Sequence, residues 1–152
     1  MFQKILVPLD GSEPSSKALV YGIHVAKKFR SEIILLHAYS KAVPFVASEA
    51  GALPTPTIAS AEITAEVIEA AKRIGNKILA EAKHTVEKQK IPVKVVLKEG
   101  DAVHEIVRTA KEEKIDLIVM GARGVSRIKE LLLGSVSHGV CRKTHCSVMI
   151  IK

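Results

Sequence analysis

Tryptophan is missing from this 152-residue chain, and aromatic residues make up only 3% of it. So few rings exclude the aromatic platforms on which single-stranded nucleic acids stack. Cysteine is almost as scarce. Cys141 and Cys146 are the only two, and they sit close together near the C-terminal end. They build no disulfide framework, so packing has to hold the core, and a reducing, cytoplasmic compartment is the expectation. No apolar run approaches the ~18 residues of a membrane span. The opening segment MFQKILVPLD is broken by Pro8 and Asp10 before a signal-peptide core could form. With 47% hydrophobic and 26% charged residues, the composition fits neither a disordered nor a fibrous chain. The length suits one domain spanning residues 1–152. A net charge of +7 is spread over scattered lysines and arginines. That pattern reads as a solvated basic surface hospitable to an anionic ligand, with nucleic acid and membrane not expected as partners.

Five short apolar runs recur along the chain: Phe2–Leu9, Ile33–Leu36, Val93–Leu97, Ile115–Met120 and Val148–Ile151. Most are continuous rather than alternating, as in parallel strands covered on both faces. Lys94 interrupts the third run and predicts an exposed edge position for it. Between the runs lie helical patterns. Ser12 followed by Glu13 and Pro14 is a helix start, and Ala18, Leu19, Gly22, Ile23, Val25 and Ala26 form its inner stripe. From about Ala61 to Lys88 the spacing places Ile63, Val67, Ala71, Ile74, Ile78, Ala82 and Val86 on one stripe. Asp101 caps a third helix with Val103, Ile106, Val107 and Ala110 facing inward, and a fourth begins near Ser135. Alternating strands and helices predict an α/β fold, an open parallel sheet with helices on both faces. Residues 40–60, with Pro44, Gly51, Pro54 and Pro56, break the rhythm. They leave the carboxyl end of the second strand, where such sheets bind ligands, and are expected to act as a lid or partner-facing loop.

The chemistry concentrates after the fourth strand. Met120-Gly121-Ala122-Arg123-Gly124 is followed nine residues later by Gly134-Ser135-Val136-Ser137, which opens the last helix. Glycines permit positive φ and close approach to a ligand. A helix N-terminus with serine hydroxyls offers N–H groups and a favourable dipole to phosphate. Neither G-x-x-x-x-G-K-[ST] nor a G-x-G-x-x-G after the first strand is present. Spacing alone leaves two readings open, a phosphate cradle or a plain turn followed by a serine-capped helix. Asp10 is suited to a ribose hydroxyl or a phosphate-bound divalent ion, and equally to a turn. Arg123 and Arg127 can pair with phosphate or with water. His37 reads as a packed, hydrogen-bonded histidine. His138, Cys141, His145 and Cys146 offer zinc-ligand types, but their spacing matches no common zinc motif, and no metal site is assigned there.

The pattern Gly121-x2-Gly124-x9-Gly134-Ser135 resembles the ATP-binding signature of the universal stress protein family. ILVPLDGSEPSSKAL, IILLHAY and EGDAVHEIVRTAKEEKIDLIVMGARG are similar to that family's segments over nearly the whole chain. The resemblance implies a flavodoxin-like sheet of order 3-2-1-4-5 and a homodimer formed through the last strand. It also implies ATP at the carboxyl edge, with Mg2+ or Mn2+ carried by the phosphates. Pro8, Leu9 and Asp10 would line the nucleoside end and the backbone near Ala38 would read adenine. Met120, Gly121, Arg123, Gly124, Gly134, Ser135, Val136 and Ser137 would surround ribose and phosphates. A nucleotide-dependent regulatory protein with an unidentified protein partner is implied, at most a slow ATPase. A dimerisation module without ligand is the alternative.

Overall fold

A computed structural model of the chain describes residues 1–40, 58–123 and 133–152, with the α2 side chains described from residue 65 onward. The elements follow in the order β1 (Lys4–Pro8), α1 (Glu13–Phe29), β2 (Glu32–Tyr39), α2 (Ile58–Glu87) and β3 (Val93–Glu99). They continue with α3 (Ala102–Glu112), β4 (Leu117–Gly121), α4 (Ser135–Lys143) and β5 (Ser147–Ile151). The strands form one parallel sheet in the order β3-β2-β1-β4-β5, as expected. The two central strands explain the unbroken apolar runs. Ile5 and Val7 of β1, with Leu117 and Val119 of β4, pack beneath α1 and α2, whereas Leu6, Ile118 and Met120 pack beneath α3 and α4. A strand buried on both faces leaves no position for a polar residue. β3 lies at the edge, and the exposed Lys94 that marked it in the sequence pairs there with Glu113 at 2.6 Å.

Helix starts follow their local chemistry. Ser12 caps α1 by accepting a hydrogen bond from Ser15 N–H at 3.3 Å, with proline in the first turn. Asp101 caps α3 through His104 N–H at 2.9 Å. At the opposite edge of the sheet, the Asp116 carboxylate accepts from Gln3 N–H at 2.8 Å and Lys4 N–H at 2.9 Å, clasping the start of β1 to β4. Among the described residues no helix is long and apolar enough to cross a membrane.

Three expectations need correction. α2 begins at Ile58, inside the segment read as a loop to residue 60, and residues 41–57, where the lid was expected, lie outside the described residues. The buried stripe of α2 is Gly75, Leu79, Ala82 and Val86, whereas Ile74 is 60% and Val67 41% exposed. Ala82 and Val86 are buried as read and Ile78 packs against the same core, but in the earlier turns the stripe passes through Gly75 and Leu79, because a glycine faces the sheet where a large residue was sought. On α3, Val103 and Val107 are only half-buried, while Glu105 and Thr109 are buried beside Ile106 and Ala110. Glu105 tolerates burial because Arg108 lies 2.7 Å from its carboxylate and His104 3.1 Å away.

Gly75 is the contact that admits α2 to the sheet. A Cβ there would lie 2.6 Å from His37 Cδ2 and 2.8 Å from Leu97 Cδ1. In a solvated helix Gly→Ala is stabilising by roughly 0.5–1 kcal/mol. Here we expect Gly75→Ala to destabilise by about 1–3 kcal/mol, because the added methyl overpacks a filled interface. Urea denaturation checks the sign, and an unchanged or raised midpoint would contradict the packing.

Candidate functional site

The order of the strands reverses at β1. From β1 the chain moves outward to β2 and β3, then returns beneath the sheet to β4 and β5. Connections diverge at this point, and a crevice opens at the carboxyl edge between β1 and β4, where open α/β sheets place ligands. A cleft of about 240 Å³ occupies it. Its apolar lining comes from Pro8, Leu9, Leu36, Ala38, Met120, Ala102 and Ile106, and its polar lining from Asp10, Ser15, Arg123, Ser135 and Ser137 with Gly121, Gly134 and Val136. Every residue expected at the site lines this cleft except Gly124, which, like Arg127, lies outside the described residues. Sequence reasoning missed Ser15, Leu36, Ala102 and Ile106. Each sits at the carboxyl end of a strand or in the first turns of the following helix, and that position was the available signal.

Of the two purposes read for these glycines, positive φ is absent at Gly121 and Gly134, although both line the cleft, and Gly124 lies outside the described residues. Gly121 ends β4 without positive φ, and a Cβ there would meet Pro14 Cβ at 2.8 Å and the Pro14 carbonyl carbon at 2.9 Å. It is small so that the first turn of α1 can lie against the end of β4. Gly134 has φ −63°, acceptable to any residue, but a Cβ would stand 3.3 Å from Ala122 O and Arg123 Cα. Among the described glycines positive φ belongs to Gly11, at +80° in the turn after β1, and Gly100, at +147° before α3.

Ala122, assigned no role from the sequence, is where the segments meet. Its N–H donates to Ile151 O at 2.7 Å, and its carbonyl accepts from Gly134 N–H at 2.8 Å and Ser137 Oγ at 2.7 Å. The chain that leaves at Arg123 is thus returned to the end of β4 before α4 begins. Ser137 is buried, and its hydroxyl also approaches Gly134 O at 3.0 Å. Of the two serines, Ser137 therefore holds the turn together, and the exposed Ser135 presents its hydroxyl.

The N-terminus of α4 differs from those of α1 and α3. Its N-cap is Gly134, and no side chain caps it. The first bond within the helix is His138 N–H to Gly134 O, so the N–H groups of Ser135, Val136 and Ser137 have no acceptor inside the helix. All three residues line the cleft, together with Arg123.

The remaining candidates have local tasks. Asp10 Oδ1 accepts from Ser12 N–H at 2.9 Å and from the Ser12 hydroxyl, which turns that oxygen toward Ser15 N–H. This is the turn role weighed for it, and it steadies the cap of α1 at the mouth of the cleft. His37 Nδ1 donates to Leu9 O at 2.8 Å, tying β2 to the chain as it leaves β1. Cys146 Sγ lies 3.2 Å from Thr144 Oγ1 and packs against the α3–α4 core. Among the described residues no three His, Cys, Asp or Glu side chains are grouped as metal ligands.

Comparison with known proteins places this geometry in a lineage. The chain is 40% identical to the universal stress protein YxiE of Bacillus subtilis, over the full length of both. Its fold matches the structure of MJ0577 from Methanocaldococcus jannaschii with a TM-score of 0.84 and 29% identity, covering 100% of this chain and 96% of that one. It also matches a universal stress protein solved in complex with cAMP, with a TM-score of 0.66 and 26% identity over 99% and 96% of the two chains. The family model for universal stress proteins spans residues 1–152 without a break, and with these likenesses it makes the chain a member of the universal stress protein family.

Proposed function

We propose that this chain binds ATP in the cleft between β1 and β4 and works as a nucleotide-dependent regulatory protein of the cytoplasm. The observation that carries the reading is the uncapped start of α4. Ser12 and Asp101 each accept one first-turn amide of α1 and α3, Ser15 N–H and His104 N–H, whereas no side chain accepts from the first-turn amides of α4, whose residues line the cleft. Such groups, reinforced by the helix dipole, suit a phosphate. The apolar side chains at the other part of the cleft, Leu9, Leu36, Ala38 and Ile106, suit a nucleobase. The related structure with bound cAMP supports an adenine nucleotide as the ligand class. In this reading Ser135, Val136, Ser137 and Arg123 hold the phosphates, and the backbone at Ala38 reads the base. Mg2+ or Mn2+ would arrive with the phosphates, screening their charge. Asp10 is the one carboxylate among the described lining residues, and its Oδ1 already serves the α1 turn. We therefore assign the residues to binding and assign none to hydrolysis.

The edge position of β5 supports a second proposal, a homodimer in which this strand pairs with its counterpart in another copy. Val148, Met149 and Ile150 are half-buried along an edge that carries no lysine within the strand. An apolar edge of this kind is an aggregation hazard until covered. Sedimentation equilibrium should give a dimer, and a monomer at high protein concentration would remove the proposal.

Two measurements test the cleft. Mass spectrometry of nucleotide carried through purification should find adenine nucleotide, and none would be expected of a module without ligand. Gly134→Val should abolish ATP binding in calorimetry and lower the thermal midpoint somewhat, because φ −63° suits valine but its Cβ would crowd Ala122 O and Arg123 Cα at 3.3 Å. Ser135→Ala should be milder, a loss of roughly 1.5–3 kcal/mol for one hydrogen bond to a charged group. Parental affinity in Gly134→Val would show that phosphate lies elsewhere.

A further inference from the structure

β1 ends at Pro8, yet β2 goes on holding the chain for one residue more. Leu9 N–H donates to Leu36 O at 2.8 Å, as the next rung of a parallel ladder would. The rung after it is missing. In a parallel pair the Leu9 carbonyl would accept from the backbone N–H two residues beyond Leu36, which is that of Ala38. The carbonyl accepts instead from His37 Nδ1 at 2.8 Å, and among the described residues no backbone N–H donates to it. A side chain has taken the acceptor that belongs to the Ala38 amide.

The direction of that amide follows from its neighbours. Glu32 N–H donates to Gln3 O and Leu36 O accepts from Leu9 N–H, both on the β1 side of β2. Ile33 N–H donates to Pro92 O, on the β3 side. Backbone groups alternate along the strand, so the Ala38 N–H faces β1. There it adjoins the cleft, whose lining includes both Leu9 and Ala38. His37 itself is not a lining residue. Its ring is held by packing, because its Cδ2 and Leu97 Cδ1 occupy the space that a side chain on Gly75 of α2 would need.

We propose that His37 is a positioning residue for the nucleoside end of the cleft. By occupying the Leu9 carbonyl it keeps the Ala38 N–H out of the β1–β2 ladder and open to a ring nitrogen of the bound base. The inference rests on reading the cleft as an adenine-nucleotide site in which the backbone at Ala38 meets the base. Adenine presents unprotonated ring nitrogens, which are acceptors, and a donor without a protein partner is their complement. An amide already bonded within the ladder would have to give up that bond first. His37 acts without touching the ligand, by deciding which of two donors Leu9 receives. Without a donor at position 37 the Leu9 carbonyl would be left unpaired, and the Ala38 N–H is the ladder group that would satisfy it.

The test is amide hydrogen exchange, read by NMR, on the full chain, His37→Leu and His37→Asn, with AMP affinity from calorimetry and thermal midpoints recorded. Leucine fills the place beside Gly75 and Leu97 without a donor, whereas asparagine keeps an N–H near the position of Nδ1. In the nucleotide-free parent the Ala38 amide should exchange much faster than that of Leu36, which lies within the ladder, and AMP should slow it. In His37→Leu the Ala38 amide should be protected without nucleotide, and AMP affinity should fall about tenfold, the worth of one hydrogen bond. His37→Asn should keep both the fast exchange and most of the affinity. A histidine that merely packs would alter the midpoint and the affinity without protecting Ala38. Ala38 protected as strongly as Leu36 in the nucleotide-free parent would overturn the proposal and leave the cleft standing. So would exchange and AMP affinity that do not change in His37→Leu. A parent that binds neither AMP nor ATP would overturn the cleft reading and the nucleoside role with it, while exchange in the nucleotide-free chains would still report whether His37 frees the Ala38 amide.

Discussion

Gly121 and Pro14 touch where the sheet changes direction, and much else follows from how close they come. A Cβ on residue 121 would have to share space with the backbone of the first turn of α1. Backbone atoms, unlike the end of a flexible side chain, cannot step aside cheaply. Without that contact α1 would stand off from β4, and Ser12, Asp10 and the turn between them would shift with it. The mouth of the cleft is thus set by an absent methyl group at the end of a buried strand. Gly75 works similarly at the other side of the fold, where it lets α2 settle on His37 and so holds the carboxyl ends of β2 and β1 together.

Ala122 extends this order to the second half of the site. Its two backbone groups face β5 on one side and the start of α4 on the other, so sheet and helix are positioned by one residue. The result is a helix N-terminus fixed by hydrogen bonds from behind and left without a cap in front. In α1 and α3 a side chain accepts at least one of these amides, and in α4 none does. An open, rigid set of donors facing a cleft is what preorganised anion binding requires. That functional step is our reading of the geometry, and the family membership makes it coherent with the cAMP-bound relative.

Much of this was legible in the residues because the signals were local. The continuous run Ile5–Val7 marked a strand covered on both faces, Ser12-Glu13-Pro14 marked a helix start, and Lys94 marked an edge. The sheet order came from the resemblance to a family, since apolar runs do not number their neighbours. What escaped was non-local. The outward turn of Val67 and Ile74 depends on Gly75 meeting His37, nearly forty positions earlier in the chain. The buried Glu105 is stable only because Arg108 and His104 reach it. The reading of positive φ at Gly121 and Gly134 failed because a glycine can be required by a neighbour's bulk as well as by its own dihedral angle. Ala122 carried no signal at all, for its role resides in its backbone.

The central claim is that the open start of α4 is the phosphate site, and amide resonances report on it directly. In ¹⁵N-correlated NMR spectra recorded during an ATP titration, the amides of Ser135, Val136 and Ser137 should shift strongly and saturate together, because a phosphate supplies their missing acceptor. The amides of Ser15 and His104, already bonded to the caps of α1 and α3, should move far less, with Ser15 sensing only its place in the cleft lining. If ATP binds and the three α4 amides remain where they were, the phosphate is held elsewhere and the account is contradicted.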